Sequence, residues 1–533
     1  MALRLTRRDF HRLALGTAAL ALAPIGRLAA QVRFGSYPFQ LGVASGDPSA
    51  DGFVIWTRLA PEPFDPARLG QLIYEVAWEV AEDRQFARIA RQGVALARPH
   101  LVHAVHVEVS GLQPGREYWY RFRVGKEESP VGRAITAPAA DAAVESLQLA
   151  FCSCAHYEQG FFSAYRYMAD DKPDLIAELG DYIYEDAWGQ RRVRLFDTLE
   201  AVTLDDYRRR YTQYRVDPDL QAAHEACPWL VTWDDHEVDN DYAGLQGEHE
   251  NCGAAREAFA ARRAAAYKAW FEHMPVRPSR LLPDGGVRIT DTCRWGTLAS
   301  IHLLDTRQFR SPQACSTQPS IQRCDTVSGR KLLFGGVGGG EFVDPTSPAC
   351  RTNLEDPART MLGADQERWL DAELAKARPR WNVIAQSVML CTITEGTPDK
   401  PKIFTDAWAG YPQARARLLD SLRRHKVANP IVLTGDIHSF WLNEVPGADG
   451  RTAAIELVGS SIATANNDRS AALPNNPQVR YHDGKHSGYV RCEFRDQSLT
   501  AHYVAVDDIR DPRSSRATTS FEIAAGSRQV RKL

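Results

Sequence analysis

Residues 174–184 read Asp-Leu-Ile-Ala-Glu-Leu-Gly-Asp-Tyr-Ile-Tyr, an apolar run that ends on the string Gly180-Asp181-Tyr182-Ile183-Tyr184. The run reads as a buried strand with a polar string at its carboxyl end. Two other stretches repeat the arrangement. WLVT leads into Trp233-Asp234-Asp235-His236-Glu237, and IVLT leads into Gly435-Asp436-Ile437-His438. Open α/β sheets gather their ligands in the crevice outside the carboxyl ends of their strands. Asp, His and Tyr delivered from several strand ends are the parts of a metal site. Because the strings lie far apart in sequence, only a fold that joins strand ends makes them one site.

Outward from these strings the pattern is consistent. Strand-like runs (LQLAFC, LASIHLLD, WNVIAQSV) alternate with helical or loop segments, the clearest helices being 254–274 and 366–377. Alternating strands and helices predict an α/β layered domain over residues 146–520. Residues 38–133 differ. FVIWTRL, LIYEVAWEV, LVHAVHVEVSGL and REYWYRFRVG alternate apolar and polar residues with period two, which predicts a small β-sandwich. His103 and His106 fall in that region and read as ordinary strand histidines. The Ala-rich stretch 134–147 reads as the linker.

The chain has 533 residues, with 64 basic and 67 acidic side chains and a net charge of −3. The length predicts two or three structural units. The near balance of charge gives no electrostatic case for a nucleic-acid-binding domain. Residues 1–30 read as a targeting segment: Thr6-Arg7-Arg8-Asp9-Phe10, an apolar run from Leu13 to Ile25, then Ala29 and Ala30. The paired arginines resemble a twin-arginine signal. The run is shorter than the roughly 20 residues that span a bilayer, so no stable membrane anchor is expected. The implied partner is the twin-arginine export machinery, and the implied location is periplasmic or secreted. Ten cysteines suit an oxidising compartment. Cys315, Cys324 and Cys350 lie in a Ser/Gly/Pro-rich insertion, where a disulfide would staple a long loop.

The strings carry specific chemistry. Asp181 can bridge two cations through its two oxygens, and Gly180 lets the backbone approach closely. A tyrosinate suits a trivalent ion, because a bound cation lowers the pKa of its ligand. The acids of WDDHE, with Asp239 and Asp241 following, repel one another unless something positive holds them. An acid-rich helix N-terminus is the plainer alternative. Asp436 and His438 are two residues apart, so in an extended segment they face one side. Cys154 follows the strand LQLAFC and offers a soft ligand or nucleophile, with a packed or disulfide-bonded cysteine as the plainer alternative.

The set SCAHYEQGFFSAYRYM, ELGDYIYE, WDDHEVDND, LGADQERWL and LTGDIHSFW closely resembles the alkaline phosphatase D family of calcineurin-like metallophosphoesterases. The resemblance covers nearly the whole chain. It implies a metallophosphoesterase sandwich, two β-sheets flanked by helices, behind a fibronectin type III-like N-terminal domain. It also implies an exported alkaline phosphatase that hydrolyses phosphate esters by metal-activated hydroxide attack. Carried over residue by residue, Cys154, Asp181, Tyr184 and His438 would hold Fe³⁺. Asp235 and Asp436, standing where related sites have Asn and His, would hold Ca²⁺ with Asp181 between the ions. Carboxylates suit hard oxygen-seeking cations. Five ligand charges, from Cys154, Asp181, Tyr184, Asp235 and Asp436, would balance one Fe³⁺ and one Ca²⁺. The resemblance suggests a second Ca²⁺, with Asp234, Asp239 or Asn240 as candidate holders. His236 would steady the phosphoryl group or protonate the leaving alkoxide, and Arg166 and Asn240 are candidate substrate contacts, with helix packing by its stem as the plainer role of Arg166. Two rivals stand beside this reading. One is a phosphodiesterase or phospholipase D-like activity on the same metals, kept open by a tail without a long apolar helix. The other is a non-catalytic exported binding protein.

Overall fold

The computed structural model describes residues 33–189, 192–247, 253–315, 342–376 and 379–533. The signal read over 1–30 and Cys324 lie outside the described residues. Two large sheets pack face to face. The first runs in the order Val530–Lys532, Arg516–Ala524, Ser498–Val506, Ser487–Arg495, Ser146–Cys152, Leu175–Glu178, Pro228–Val231, Val43–Ser49, Gly52–Arg58 and Ala104–Val109. The second runs Asp291–Trp295, Ala299–Leu303, Trp381–Ala385, Pro430–Thr434, Thr452–Val458, Phe440–Pro446 and Val479–Asp483.

Continuous apolar runs build this arrangement because each central strand is covered on both faces. In Ser146–Cys152, Leu149 and Phe151 join the core between the sheets, while Ala150 and Cys152 face the helices outside. In Pro430–Thr434, Ile431 and Leu433 point inward and Val432 outward. Tyr165, Tyr211 and Trp270, from helices Ser163–Asp170, Leu204–Arg215 and Gly253–His273, cover the first sheet. Leu370 and Leu418, from helices Gly363–Lys376 and Pro412–Arg424, cover the second. The result is helix–sheet–sheet–helix layering, the expected sandwich.

The strands that precede the three polar strings are parallel to their neighbours. Leu175–Glu178 lies between Ser146–Cys152 and Pro228–Val231, parallel to both. Pro430–Thr434 lies between Trp381–Ala385 and Thr452–Val458, again parallel to both. Their carboxyl ends therefore open on the same edge of the sandwich. The C-terminal tail adds Arg516–Ala524 and Val530–Lys532 to the edge of the first sheet. It thus runs beyond residue 520, where the sequence pattern closes the domain, and it forms strands rather than a helix.

In the N-terminal region, Tyr74–Ala81, Ile89–Ala97 and Glu117–Val124 build a five-stranded sheet with two short strands. It packs through Val76, Tyr120 and Phe122 on Val43, Ile55 and Val105 of the first large sheet. The Tyr118 hydroxyl accepts from the Gln113 amide at 3.0 Å, fixing the corner in LQPGREYWYRF. The two histidines are structural. His103 meets the Leu72 carbonyl at 3.0 Å, and His106 meets those of Phe271 and Met274, each at 3.0 Å. The loop Cys is also accounted for: Cys315 and Cys350 form a disulfide across 35 residues.

The strand Val43–Ser49 pairs with Pro228–Val231, so the N-terminal strands extend the catalytic sheet directly. Asp47 reinforces that seam. Its carboxylate accepts a bidentate pair of hydrogen bonds from Arg280 at 2.6 and 2.7 Å, with both side chains buried. Burial would raise the Asp47 pKa, but the Arg280 guanidinium outweighs it and holds the carboxyl below its usual value. Because the folded value is depressed, this contribution is complete above about pH 4 and fades only as pH falls below that. Asp47→Asn strands a buried guanidinium, a loss of about 3–5 kcal/mol. The denaturation midpoint of Asp47→Asn at neutral pH should fall accordingly, and an unchanged midpoint would contradict the ion pair's role.

Candidate metal centre

All the sequence strings arrive on one crevice. Cys154 lies just past Ser146–Cys152, Asp181 past Leu175–Glu178, Asp234 to His236 past Pro228–Val231, and Asp436 and His438 past Pro430–Thr434. Four of these residues, Cys154, Asp181, Asp436 and His438, have positive φ values of 61°, 56°, 65° and 55°. Left-handed backbone is costly for non-glycine residues and concentrates where the surroundings hold a functional side chain in place. Gly180 has φ 111°, and a Cβ there would lie 2.3 Å from the Asp234 amide nitrogen. Glycine is therefore required for the Gly180–Tyr184 and Trp233–Glu237 strings to meet.

Hydrogen bonds lace the loops together. The buried Glu237 carboxylate accepts from the amides of Asp181 (3.0 Å), Tyr182 (2.8 Å) and Asp234 (2.9 Å). The Tyr184 amide donates to the Tyr214 hydroxyl at 3.1 Å, and Arg210 donates to the Tyr184 carbonyl at 2.6 Å. Thr464 donates to the Cys154 carbonyl at 2.8 Å. Ser387 bridges the two sheets by donating to the Trp233 carbonyl at 2.6 Å.

Two donor groups result, and Asp181 belongs to both. Ligand atoms of Cys154, Asp181 and His438 lie within 4.8 Å of one another, and so do those of Asp181, Asp235 and His236. Tyr184 completes the first group: its hydroxyl lies 3.1 Å from Asp181 Oδ2 and 3.2 Å from His438 Nε2. The second group holds His236 where the sequence reading has Asp436. The Asp436 carboxylate instead lies 3.8 Å from Arg307. His236 Nδ1 is 2.7 Å from Glu185 Oε2, which leaves Nε2 for the crevice.

The donors fit a cation. Burial, and then the charge of Asp235, push the Asp181 carboxyl well above the ordinary range. Burial and then Asp181 push the Cys154 thiol and the Tyr184 phenol upward. Burial lifts Asp436 to about 7 and lowers His438 to about 3. Asp235 goes the other way, because the charges of Arg307 and His236 outweigh its burial. Asp234 Oδ2 and Asp235 Oδ1 are buried and make no hydrogen bond. Apart from Asp235, the protein's own charges do not favour the ionised forms of these acids, which a multivalent cation among them would.

Arg307 was not legible as a site residue. It is fully buried beside five carboxylates: hydrogen-bonded to Asp234, 2.8 Å from Asp406, 3.6 Å from Asp235, and 3.8 Å from Asp241 and Asp436. Arg310 supports Asp406 at 2.7 Å. Asp234 is thus taken by a guanidinium, and Asp239 lies 3.1 Å from Arg262. Asn240 turns its side-chain amide to Asp241 at 3.3 Å, and its backbone amide donates to Glu185 at 3.0 Å. Arg166 donates to Asp219 at 3.2 Å and ties two helices together, so packing explains it rather than phosphate contact. Glu185, Asp406 and the roles of Glu237 and Arg307 were missed. Glu237 and Glu185 had a signal, their places inside WDDHE and at the end of ELGDYIYE.

Comparison with known proteins gives concordant results. The sequence models of the PhoD-like phosphatase family match residues 149–503, and those of the PhoD-like phosphatase N-terminal domain match residues 26–138. Alkaline phosphatase D of Bacillus subtilis (strain 168) is 39% identical over 518 residues, covering 94% of this chain and 83% of that protein. The solved structure of PhoD superposes with a TM-score of 0.85 at 38% identity, covering 94% of this chain and 93% of its own.

Proposed function

The chain belongs to the PhoD-like phosphatase family and is a phosphoric ester hydrolase, and we propose that it works outside the cytoplasm on a mixed iron–calcium centre. Cys154, Asp181, Tyr184 and His438 would hold Fe³⁺, and Asp181, Asp235 and Asp436 would hold Ca²⁺. The observation that carries this is the sharing of Asp181 between two donor groups, one containing a thiol and lying against a phenol, the other made of Asp181, Asp235 and His236, with Asp235 and Asp436 facing the same Arg307 nitrogen. The arginines already paired with Asp234 and Asp239 favour a single calcium. The rival reading as a non-catalytic binding protein is set aside by the family match and by the phosphatase relative.

When bound, such a cation pair supplies Lewis acidity to the phosphoryl group and to the attacking water. The chain's own residues do the rest. Asp181 fixes the midpoint of the site. Glu185 orients His236 through Nδ1, and His236 Nε2 carries the proton to the leaving oxygen. Arg307 helps keep Asp235 and Asp406 ionised. Diester hydrolysis on the same centre is the second reading, favoured by the C-terminal strands, which lie at a sheet edge rather than as a helix over the crevice. Export by the twin-arginine machinery to the periplasm or medium is supported by Arg7-Arg8 and the apolar run behind them. The Cys315–Cys350 bridge suits the same compartment.

Protein purified without chelator should contain iron and calcium in near-equal amounts and show a visible tyrosinate–iron band. It should hydrolyse a phosphomonoester, and a matched phosphodiester measures the second reading. Preparations free of iron that retain full turnover would overturn the metal assignment.

A further inference from the structure

Arg469 belongs to no donor group, yet its loop runs against His438. The Asn467 amide donates to the His438 carbonyl at 3.1 Å. The Asn467 side-chain oxygen, turned toward the guanidinium, accepts from Arg469 Nη2 at 3.0 Å and Nε at 3.1 Å. Glu395 Oε1 lies 3.4 Å from Nη1. The guanidinium also sits over the rings of Phe342 and Phe404, at 4.8 and 5.2 Å. An arginine stacked and held on one edge this way is preorganised, so little side-chain entropy is lost when its remaining N–H groups meet an anion.

Position tells which part of a substrate it meets. Arg307 is fully buried on the floor, among the acids. Arg469 is on the rim: Glu395 is 28% exposed, Phe342 is an exposed aromatic, and the Arg469 side chain keeps 12% exposure. Its charge is nevertheless felt at Asp436 and His438. Trp188 stacks on His438 with ring centres 6.1 Å apart at 14°. Gln159 joins the two segments, donating to the Trp188 carbonyl at 3.0 Å and accepting from the Ala465 amide at 2.7 Å. The surroundings of His438 therefore include the aromatic face of Trp188 and the loop that carries the Arg469 guanidinium.

We propose that Arg469 is a specificity-determining residue that selects phosphate esters whose alcohol part carries its own negative charge. This rests on the hydrolase reading above. With the phosphoryl group on the floor, the rim is left to the alcohol side, and a guanidinium with free N–H groups favours an anion there.

The test compares kcat/KM of metal-loaded enzyme for 4-carboxyphenyl phosphate and for its methyl ester, with phenyl phosphate as the unsubstituted reference. The wild type should prefer the carboxylate over the methyl ester by about tenfold, the worth of one charge-assisted contact. Arg469→Gln should bring that ratio to about one, and Arg469→Lys should hold it between the two. An equal loss on all three esters in Arg469→Gln, with the ratio kept, would overturn the proposal, as would a wild type with no preference. Failure of the wild type to turn over any of the three would overturn the phosphomonoesterase reading instead, and the proposal with it.

Discussion

Asp181→Asn protein should leave purification without either metal and without turnover, while keeping its fold. Asp181 is shared by both donor groups, so its loss removes a negative ligand from each ion at once. Asparagine is close to isosteric, but it offers a neutral carbonyl and a donor where two cations need two anionic oxygens. The backbone argues that the fold survives. Asp181 has φ 56°, and asparagine is among the residues that tolerate this region. The contacts to Glu237 use the amides of Asp181 and Tyr182, which the substitution leaves intact. One acid fewer also relieves the repulsion that burial and Asp235 impose on this carboxyl, so metal-free variant should melt no lower than metal-free wild type. Removal of a single stabilising donor already costs enzymes about 10²–10³ in rate, and loss of a bridging ligand should exceed that. Elemental analysis, a melting curve in chelator and turnover of a phosphomonoester check the three expectations together. A metal-loaded and fully active Asp181→Asn protein would sink the scheme.

The sequence revealed the parts of this site that lie in a strand-then-string grammar. DLIAEL, WLVT and IVLT are buried on both faces, which makes their ends predictable, and the polar strings follow within a few residues. Cys154, Asp181, Tyr184, Asp235 and His438 were readable for that reason. Arg307 was not. In LLDTRQFR it looks like any polar residue after a strand, and only the closing of one sheet on the other shows it at zero exposure among five acids. The roles of Glu185 and Asp406 were hidden in the same way, because their partners lie 51 residues away in His236 and in a different sheet's loop. The N-terminal region shows a second limit. Alternation identified its strands, but not that Val43–Ser49 pairs with Pro228–Val231 and makes the sheets continuous. The strand Ile89–Ala97 was missed because its side chains are largely exposed and leave no apolar stripe. Arg166 was offered two roles by its position on a helix, and Asp219 on the neighbouring helix decided between them.

Arg307→Met should cost the metal-free protein more stability than the calcium-saturated protein, and the difference between the two costs is the informative quantity. The Arg307 guanidinium is the positive charge common to Asp234, Asp235, Asp241, Asp406 and Asp436. Methionine fills much of the same volume but leaves those acids without it. Breaking a buried ion pair by deleting one partner costs about 3–5 kcal/mol, because the remaining charge is stranded in a poor solvent. Arg310 keeps part of the field at Asp406, which limits the damage there and leaves Asp234, Asp235 and Asp436 as the exposed side of the loss. Of these, Asp235 and Asp436 are also carboxylates on which calcium would act. A cation bound only by the folded state adds stability in proportion to its occupancy, so saturating calcium should restore much of what methionine removes, while chelator should reveal the full deficit. Arg307→Lys should fall between them, since an ammonium supplies the charge without the planar fork that reaches several carboxylates at once. Thermal unfolding of the three proteins in chelator and in calcium measures this directly. Equal melting points for Arg307→Met and wild type in chelator would show that the acids are not relying on Arg307. An equal deficit with and without calcium would show that the cation does not bind among them.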